Sequence, residues 1–389
     1  MAKKPLKPLP PIVRTLGWIS FLADVCSEMT YPILPLFLTG VLRAPAWVLG
    51  VVEGFSEAVV SVMKGWSGWH SDKKGVRAPY IQVGYFLSAL GKPLIGIATG
   101  WPLVFFARAL DRVGKGVRTT ARDAMIADAA DKEDYGRAFG FHRAMDTAGA
   151  FLGVLLCLGL LTLFPGQYRM ILLMAFVPGL LAVGLAMRVR EPKPTGAAAE
   201  SAPRTGKIQL KPQFWWAIGV VSLFGLANSS DTFLILRAKS LGLSEPQAIG
   251  AYLVFNLVAA ALSTWAGHLS DRWSRMNVIA LGWTLYALVY AGFALLGKEW
   301  VFVAFGLYGV YIAMSHGVVK AFAASLTTSE SRGTAIGIFS MVSGLVTLLG
   351  NVAFGAIWEF VSPSTALLCA SAVAGVAAIS LFMLRPLFR

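Results

Sequence analysis

Charge is scarce in this chain of 389 residues: Asp, Glu, Lys and Arg make up 14% of it, against 56% hydrophobic residues. Soluble domains carry about a quarter charged residues. So little charge, spread between long apolar runs, excludes an ordinary soluble fold and points to an integral membrane protein. Acids are the scarcer sign, 20 against 34 bases, leaving a net charge of +14. In a membrane chain that surplus is a topology signal, because Lys and Arg crowd the cytoplasmic ends of membrane helices; no nucleic-acid partner is needed to explain it. Cysteine is nearly absent. Cys26, Cys157 and Cys369 all fall in apolar stretches, which excludes a disulfide framework and makes them small packing residues. The spacings of His70, His142 and His268 match no ligand pattern, so neither a metal nor a cofactor is expected. A Gly-x-x-x-x-Gly-Lys-[Ser/Thr] loop and a large soluble segment are both missing, which argues against ATP drive within the chain.

What is present is a series of apolar runs. Each run of about 20 residues can cross a bilayer, and reading them between polar or Gly/Pro stretches gives about twelve. Their centres lie near Asp24, Val59, Phe86, Arg112, Val154, Val177, Ser229, Leu257, Tyr286, Ile312, Leu345 and Ala374. The basic start, "MAKKPLKPLPPIVR", looks like the head of a signal peptide. The run behind it contains Asp24 and Glu28 and has no small-residue cleavage site, so it is read as retained. Residues 191–212 are rich in Pro, Ala, Gly and charge and read as a flexible linker between an N-terminal unit, 1–190, and a C-terminal unit, 213–389, with six spans each. Bases crowd one set of alternate connections, among them Lys73, Lys74, Arg77, Arg188, Arg190, Arg272 and Arg275. The other set has Arg43, Arg169, Arg237, Lys239 and Lys298. The asymmetry predicts both termini and the linker in the cytoplasm, with the chain in the cell's inner membrane.

The two halves resemble each other. "GWHSDKKGVR" follows the second span and "GHLSDRWSR" the eighth, and "GRAFGF" at 136–141 matches "GTAIGI" at 333–338. A duplicated six-helix unit suits a transporter whose solute sits near mid-membrane between the halves.

These motifs are similar to those of the major facilitator superfamily (MFS). Its loop pattern is Gly, three residues, Asp, a base, any residue, Gly, then two bases. Gly68, Asp72, Lys73, Gly75 and Arg77 fit, with Val76 where a base is usual; the second copy keeps Gly267, Asp271, Arg272 and Arg275, with Ser274 in place of the glycine. "RVGKG" resembles the family's Arg-x-x-Gln-Gly, with Arg112, Lys115 for the glutamine, and Gly116. Asp128 falls on the family's acidic position before the fifth span. The resemblance implies an all-α membrane protein of twelve transmembrane helices in two pseudo-symmetric six-helix bundles. It also implies a cytoplasmic gating cluster of Asp72, Arg77 and Asp128. In the fifth span Gly149 and Gly153 are followed by Val154, where many antiporters of the family carry proline.

The ionisable residues inside the spans are the candidate chemistry, since such groups are costly in a bilayer and commonly functional. Asp24 and Glu28 are one helical turn apart on a single face. Pro32 lacks an N–H for the Glu28 carbonyl, and Pro35 lacks one for Tyr31. Acids beside freed carbonyls suit a proton or cation site; the alternative is a structural neutralisation of the fourth span. In the seventh span "LANSSDTFLIL" places Ser230 and Asp231 where the first has Ser27 and Glu28, with Asn228 and Ser229 beside them. Interhelical hydrogen bonding is the alternative there. The fourth span carries Asp111, Lys115, Arg118 and Arg122 as one stripe, with Arg108 and Arg112 beside it. Arg112 or Lys115 is expected to pair with Asp24 or Glu28, and Arg122 to reach the cytoplasmic surface. Arg143 and Asp146 are expected to pair locally. His316 is a second candidate for a coupled proton, its ordinary pKa being about 6.5, or a neutral hydrogen-bonding histidine.

Three function classes follow. The first is a secondary active transporter, proton-coupled, moving a small solute by alternating access, with export ranked above proton-symport import of an organic anion or metal chelate. The second, a membrane enzyme, lacks a nucleophile–base set. The third is a non-transporting sensor on the same fold. A monomer in the lipid suffices to form the path.

Overall fold

Long apolar runs in a medium without water must satisfy their own backbone groups, and they do so here as helices. The computed structural model describes residues 8–131, 134–191, 212–326 and 332–385, with the side chains of Asp271, Lys320, Ala321, Ala324, Arg332, Thr334 and Ile336, and Gly333, outside that set. Twelve spans result: α1 (Pro11–Val41), α2 (Ala46–Lys74), α3 (Ala78–Gly96), α4 (Trp101–Ala129), α5 (Tyr135–Leu163), α6 (Tyr168–Ala186), α7 (Pro212–Ser240), α8 (Glu245–Trp273), α9 (Arg275–Leu295), α10 (Val301–Ser325), α11 (Arg332–Phe360) and α12 (Pro363–Met383). Ten of these are apolar enough to cross a membrane on composition alone. The other two, α3 and α4, carry Lys92 and the charged stripe, and α4 can be tolerated only because its charges face protein. No strand occurs among the described residues. Most of the linker expected at 191–212 lies outside them.

Two spans, α1 and α7, are broken midway along their length, and α6 is interrupted by a single turn residue, Ala175. In α1 the regular helix stops at Thr30, where Pro32 and Pro35 remove two donors. A 3₁₀ turn over Tyr31–Ile33 takes up the strain, and the Leu34 N–H meets the Tyr31 carbonyl. That carbonyl is therefore satisfied, where the sequence left it free. In α7 the helix stops at Ala227 and restarts at Asp231, with Ser230 as N-cap accepting from the Thr232 N–H.

Glycines set how the spans approach. A Cβ on Gly153 of α5 would sit 2.7 Å from the Val25 carbonyl oxygen and 2.9 Å from the Glu28 Cβ, so only glycine lets α5 lie directly on the acidic part of α1. A Cβ on Gly50 of α2 would run into the Asn351 carbonyl, and one on Gly54 would sit 3.0 Å from the Leu348 Cα. This glycine seam holds α2 against α11, across the two bundles. At its far end the Glu359 carboxylate accepts from the Ala46 N–H at 2.7 Å.

The apolar core divides unequally. At the end bearing Ala46 and Glu359, residues of both bundles, such as Ile33, Phe37, Leu49 and Phe233, belong to one continuous cluster. At the opposite end, which carries the basic 72–77 turn, the N-terminal bundle has its own cluster (Leu16, Ile81, Met125, Ala186). The start of α7 and of α11 has another (Phe214, Ala335, Phe339). The bundles are thus packed together at one end and separate at the basic end.

Candidate transport site

The site is built around the two helix breaks. Tyr31, at the break of α1, shares a hydrogen bond of 3.1 Å with the Ser230 hydroxyl at the break of α7. The Ser230 N–H donates to Asn351 Oδ1 at 2.8 Å, tying α7 to α11. Polar groups freed by the gap in α7 find tyrosines. Tyr308 donates to Asp231 at 2.6 Å, Tyr311 to Asn228 Oδ1 at 3.2 Å and Tyr286 to the Ala227 carbonyl at 2.7 Å, while Tyr290 pairs with the Ser229 hydroxyl at 2.8 Å. All four rings are fully buried. Unpaired polar backbone in such a place would be costly, so the tyrosines fix the shape of the break.

Glu28 is reached from the other bundle: Tyr252 of α8 donates to its carboxylate at 3.2 Å. The expected pairing of Arg112 with Asp24 or Glu28 is not what forms. Arg112 contacts Asp111 at 3.0 Å, because Asp111 sits in a buried charge network within the N-terminal bundle. Lys92 Nζ lies 2.7 Å from it, Ser88 donates to it at 2.9 Å and Arg108 approaches at 3.3 Å. Arg108 in turn holds Glu53 through two donors at 3.0 and 3.2 Å and lies over the Tyr31 ring. Glu53, Lys92, Arg108 and Asp111 are each 3% exposed or less. Lys115 is the base that acts electrostatically on Asp24, Glu28 and Glu57.

The stripe on α4 is one face, as its spacing requires, but most of it turns into its own bundle. Arg118 stacks on the Tyr85 ring at 4.2 Å. Arg122 does not reach the surface. It is buried and donates to the Ser20 hydroxyl at 3.0 Å as well as to Asp123. Ser20 also meets Tyr85 at 3.0 Å and His142 at 2.8 Å, and His142 is the partner of Asp146 at 3.5 Å, where Arg143 was expected. His316 is exposed on α10; Tyr308 and Tyr311, earlier on the same helix, are the residues that reach the break in α7. His70 instead pairs with Tyr80 at 2.7 Å, and no metal-holding group of His, Cys, Asp and Glu occurs among the described residues.

Burial separates structural charges from accessible ones. Glu57, midway along a span of 29 residues, is exposed, and Asp24, Glu28, Lys115 and Asp231 are partly so. Because Arg112, Lys115 and Arg108 act on Glu57, its exposed face is the space between the bundles and not lipid. Among the described residues that space offers four acids, with Lys115 and Lys64 acting on them. Sequence reasoning passed over Glu53, Glu57, Lys92 and Tyr252; the first three were visible as lone charges in apolar runs.

The motif expected at the cytoplasmic face is assembled within the N-terminal bundle. Gly75 ends α2 with φ +66, the left-handed turn that glycine adopts at least cost. Arg77 pairs with Asp72 and lies 3.7 Å from Asp128. Lys73 covers the Trp69 ring, and Gly68 lets Thr120 approach. Glu191 accepts from the backbone N–H groups of Arg77 and Ala78, closing the start of α3. In the second copy Ser274 takes φ +107, Arg272 is exposed, a Cβ on Gly267 would meet open space, and the side chain of Asp271 lies outside the described set.

Two six-helix bundles with paired broken helices and a charged space between them define a multi-pass membrane transporter. The chain belongs to the Major Facilitator Superfamily, whose sequence profile matches residues 16–351 and again 238–388. It is similar to an MFS-type transporter of Methanocaldococcus jannaschii, 33% identical over 379 residues, 96% of this chain and 94% of that one. It is also similar to a probable 4-methylmuconolactone transporter of Cupriavidus pinatubonensis, 24% identical over 350 residues, 84% of this chain and 80% of that one. Among solved structures, a mutant of the nucleoside transporter NupG shares the fold with a TM-score of 0.81 at 14% identity, covering 96% of this chain and 99% of that one.

Proposed function

We propose that this MFS secondary transporter is proton-coupled and exports a small cationic or zwitterionic solute across the bacterial inner membrane. The observation that carries the reading is Glu28: an acid inside a span, with accessible surface, held by Tyr252 from the opposite bundle. A carboxylate there can take either a proton or a cationic group, and its bond to the moving half links that choice to bundle position. The charge of the space supports the solute class. The bases of α4 are consumed by Glu53, Asp111, Asp123 and the Tyr85 ring. Asp24, Glu28, Glu57 and Asp231 then outnumber Lys115 and Lys64. With the basic end and both termini in the cytoplasm, the separated cores make this an inward-facing state, and one chain contains the whole path.

A second reading is proton-linked import of an organic anion. It draws on Lys115 in the accessible space and on the relative named for 4-methylmuconolactone. The test is proton flux in proteoliposomes loaded with a pH dye, comparing wild type with Glu28→Gln while organic cations, zwitterions and anions are added outside. A pH change that follows cations in wild type and vanishes in the variant supports export by exchange. A response to anions alone replaces it with the second reading. Solute movement with equal proton flux in both proteins removes Glu28 from the coupling step.

A further inference from the structure

Each bundle brings one acid to its helix break, Glu28 in α1 and Asp231 in α7. The two are held differently. Each accepts a tyrosine hydroxyl, but Tyr308 meets Asp231 Oδ1 at 2.6 Å and Tyr252 meets Glu28 at 3.2 Å. A hydroxyl donating to an ionised carboxylate sits at roughly 2.5–2.7 Å. The first bond has that length and the second is well beyond it. The donors also belong to different halves. Tyr308 is on α10, in the same bundle as Asp231, and moves with it. Tyr252 is on α8, opposite Glu28, and must leave when the bundles rock.

Place along the helix separates the acids further. Asp231 is the first residue of a restarted helix of 10 residues, with Ser230 as its N-cap. The positive end of the helix dipole favours a carboxylate there. Glu28 lies in the last regular turn of α1, which stops at Thr30, and the dipole there disfavours an anion.

The surrounding charges act in the same sense. Asp24 repels a charge on Glu28 from one turn away, with Lys115 and Arg112 of α4 opposing it and the Cys157 thiol facing it from α5. Arg112 is already engaged by Asp111. Asp231 is faced by Glu53 and Glu57 of α2. Arg108 holds Glu53 at 3.0 Å, and Lys115, Arg112 and Lys64 act on Glu57, so the repulsion from both is offset. The remaining neighbours of Asp231 are the hydroxyls of Tyr31, Tyr252, Tyr290 and Tyr311.

We infer that the two acids divide the work of transport: Asp231 stays ionised through the cycle and holds the cationic group of the solute, while Glu28 carries the exchangeable proton. The proton part rests on the function proposed above; the solute part stands on the geometry of Asp231. Tyr308 occupies Oδ1, and the carboxylate keeps accessible surface for a cation. Solute and proton then meet different carboxylates in different bundles and do not compete for one.

Two measurements on the full-length protein in detergent test the division. Infrared difference spectra between acidic and neutral pH read protonated carboxyls, and equilibrium dialysis reads binding of tetraethylammonium, an organic monocation. A component of the pH-dependent carboxyl band should vanish in Glu28→Gln, and none should vanish in Asp231→Asn. Tetraethylammonium binding should fall about tenfold or more in Asp231→Asn, the weight of a contact to a charged group, and stay within about threefold of wild type in Glu28→Gln. Asp231→Glu keeps the charge and should bind better than Asp231→Asn, which separates lost charge from lost folding. A band component that vanishes in Asp231→Asn overturns the division. So does binding that Glu28→Gln abolishes and Asp231→Asn spares, or no binding by wild type. If Glu28→Gln removes no component while Asp231→Asn still loses the cation, the proton reading of Glu28 fails and the solute site at Asp231 stands.

Discussion

Tyr252 of the C-terminal bundle donates a hydrogen bond of 3.2 Å to Glu28 of the N-terminal bundle, so a single carboxylate is both an acid in the space between the bundles and a tie between the halves. Such a bond to an ionised acid contributes about 1.5–3 kcal/mol. Alternating access requires the tie to break each cycle. On the proposed proton-coupled reading, the group whose charge changes is also a group whose partner must leave.

Tyr252→Phe should shift the balance away from the state described here by roughly tenfold or more, the lower bound of that bond energy. Spin labels at positions 69 and 273, on the basic ends of α2 and α8, read the balance by their distance distribution. The variant should lose weight in the widely separated population. An unchanged distribution would mean that the bond follows bundle position and does not bias it.

The buried network predicts an asymmetric stability response. Arg108→Gln leaves Glu53 charged and buried, and should cost about 3–5 kcal/mol. It should lower the apparent melting temperature in detergent steeply. The pair Glu53→Gln with Arg108→Gln removes both charges and should recover most of the loss. If the double variant melts below the single one, Glu53 is held by Arg108 less than by other groups.

These two sites differ in how far the sequence disclosed them. The spans followed from run length, and the break in α1 from Pro32 and Pro35; the Asn228–Ser230 run reads as hydrogen-bonding groups, and the break it makes in α7 did not follow from the sequence. The face of α4 followed from its spacing. Partner choice did not follow, because it is set by which helix lies opposite, and glycines such as Gly153 and Gly91 decide that only in three dimensions. Arg122 illustrates the limit. A base near a span end ordinarily extends to water, but Ser20 on α1 and Asp123 beside it hold this one inside. Glu53, Glu57 and Lys92 could have been found by the same rule that found Glu28, an isolated charge in an apolar run.

At the turn before α9, Ser274 adopts φ +107, whereas the matching turn of the first half has Gly75 at φ +66. A non-glycine residue there is strained by about 1–3 kcal/mol. Ser274→Gly should therefore raise the apparent melting temperature, and Gly75→Ala should lower it. Both are read by thermal unfolding in the same detergent, and a destabilised Ser274→Gly would show that the serine side chain contributes more than its backbone costs.

The glycine seam makes the clearest claim about access. Because the cores join at the end bearing Ala46 and separate at the basic end, a group midway along α2 should be reachable from one side only. The thiol introduced by Glu57→Cys, in a Cys369→Ser background that leaves Cys26 and Cys157 buried, should react with an impermeant maleimide from the basic side and not from the other. A Cβ on Gly50 would run into the Asn351 carbonyl, so Gly50→Val should force α2 from α11 and open the far end. Labelling of the position-57 thiol from that far side should then appear and rise at least tenfold over the unmodified seam. If Gly50→Val leaves the protection intact, the far-end closure rests on the shared apolar cluster and not on the close approach of α2 to α11.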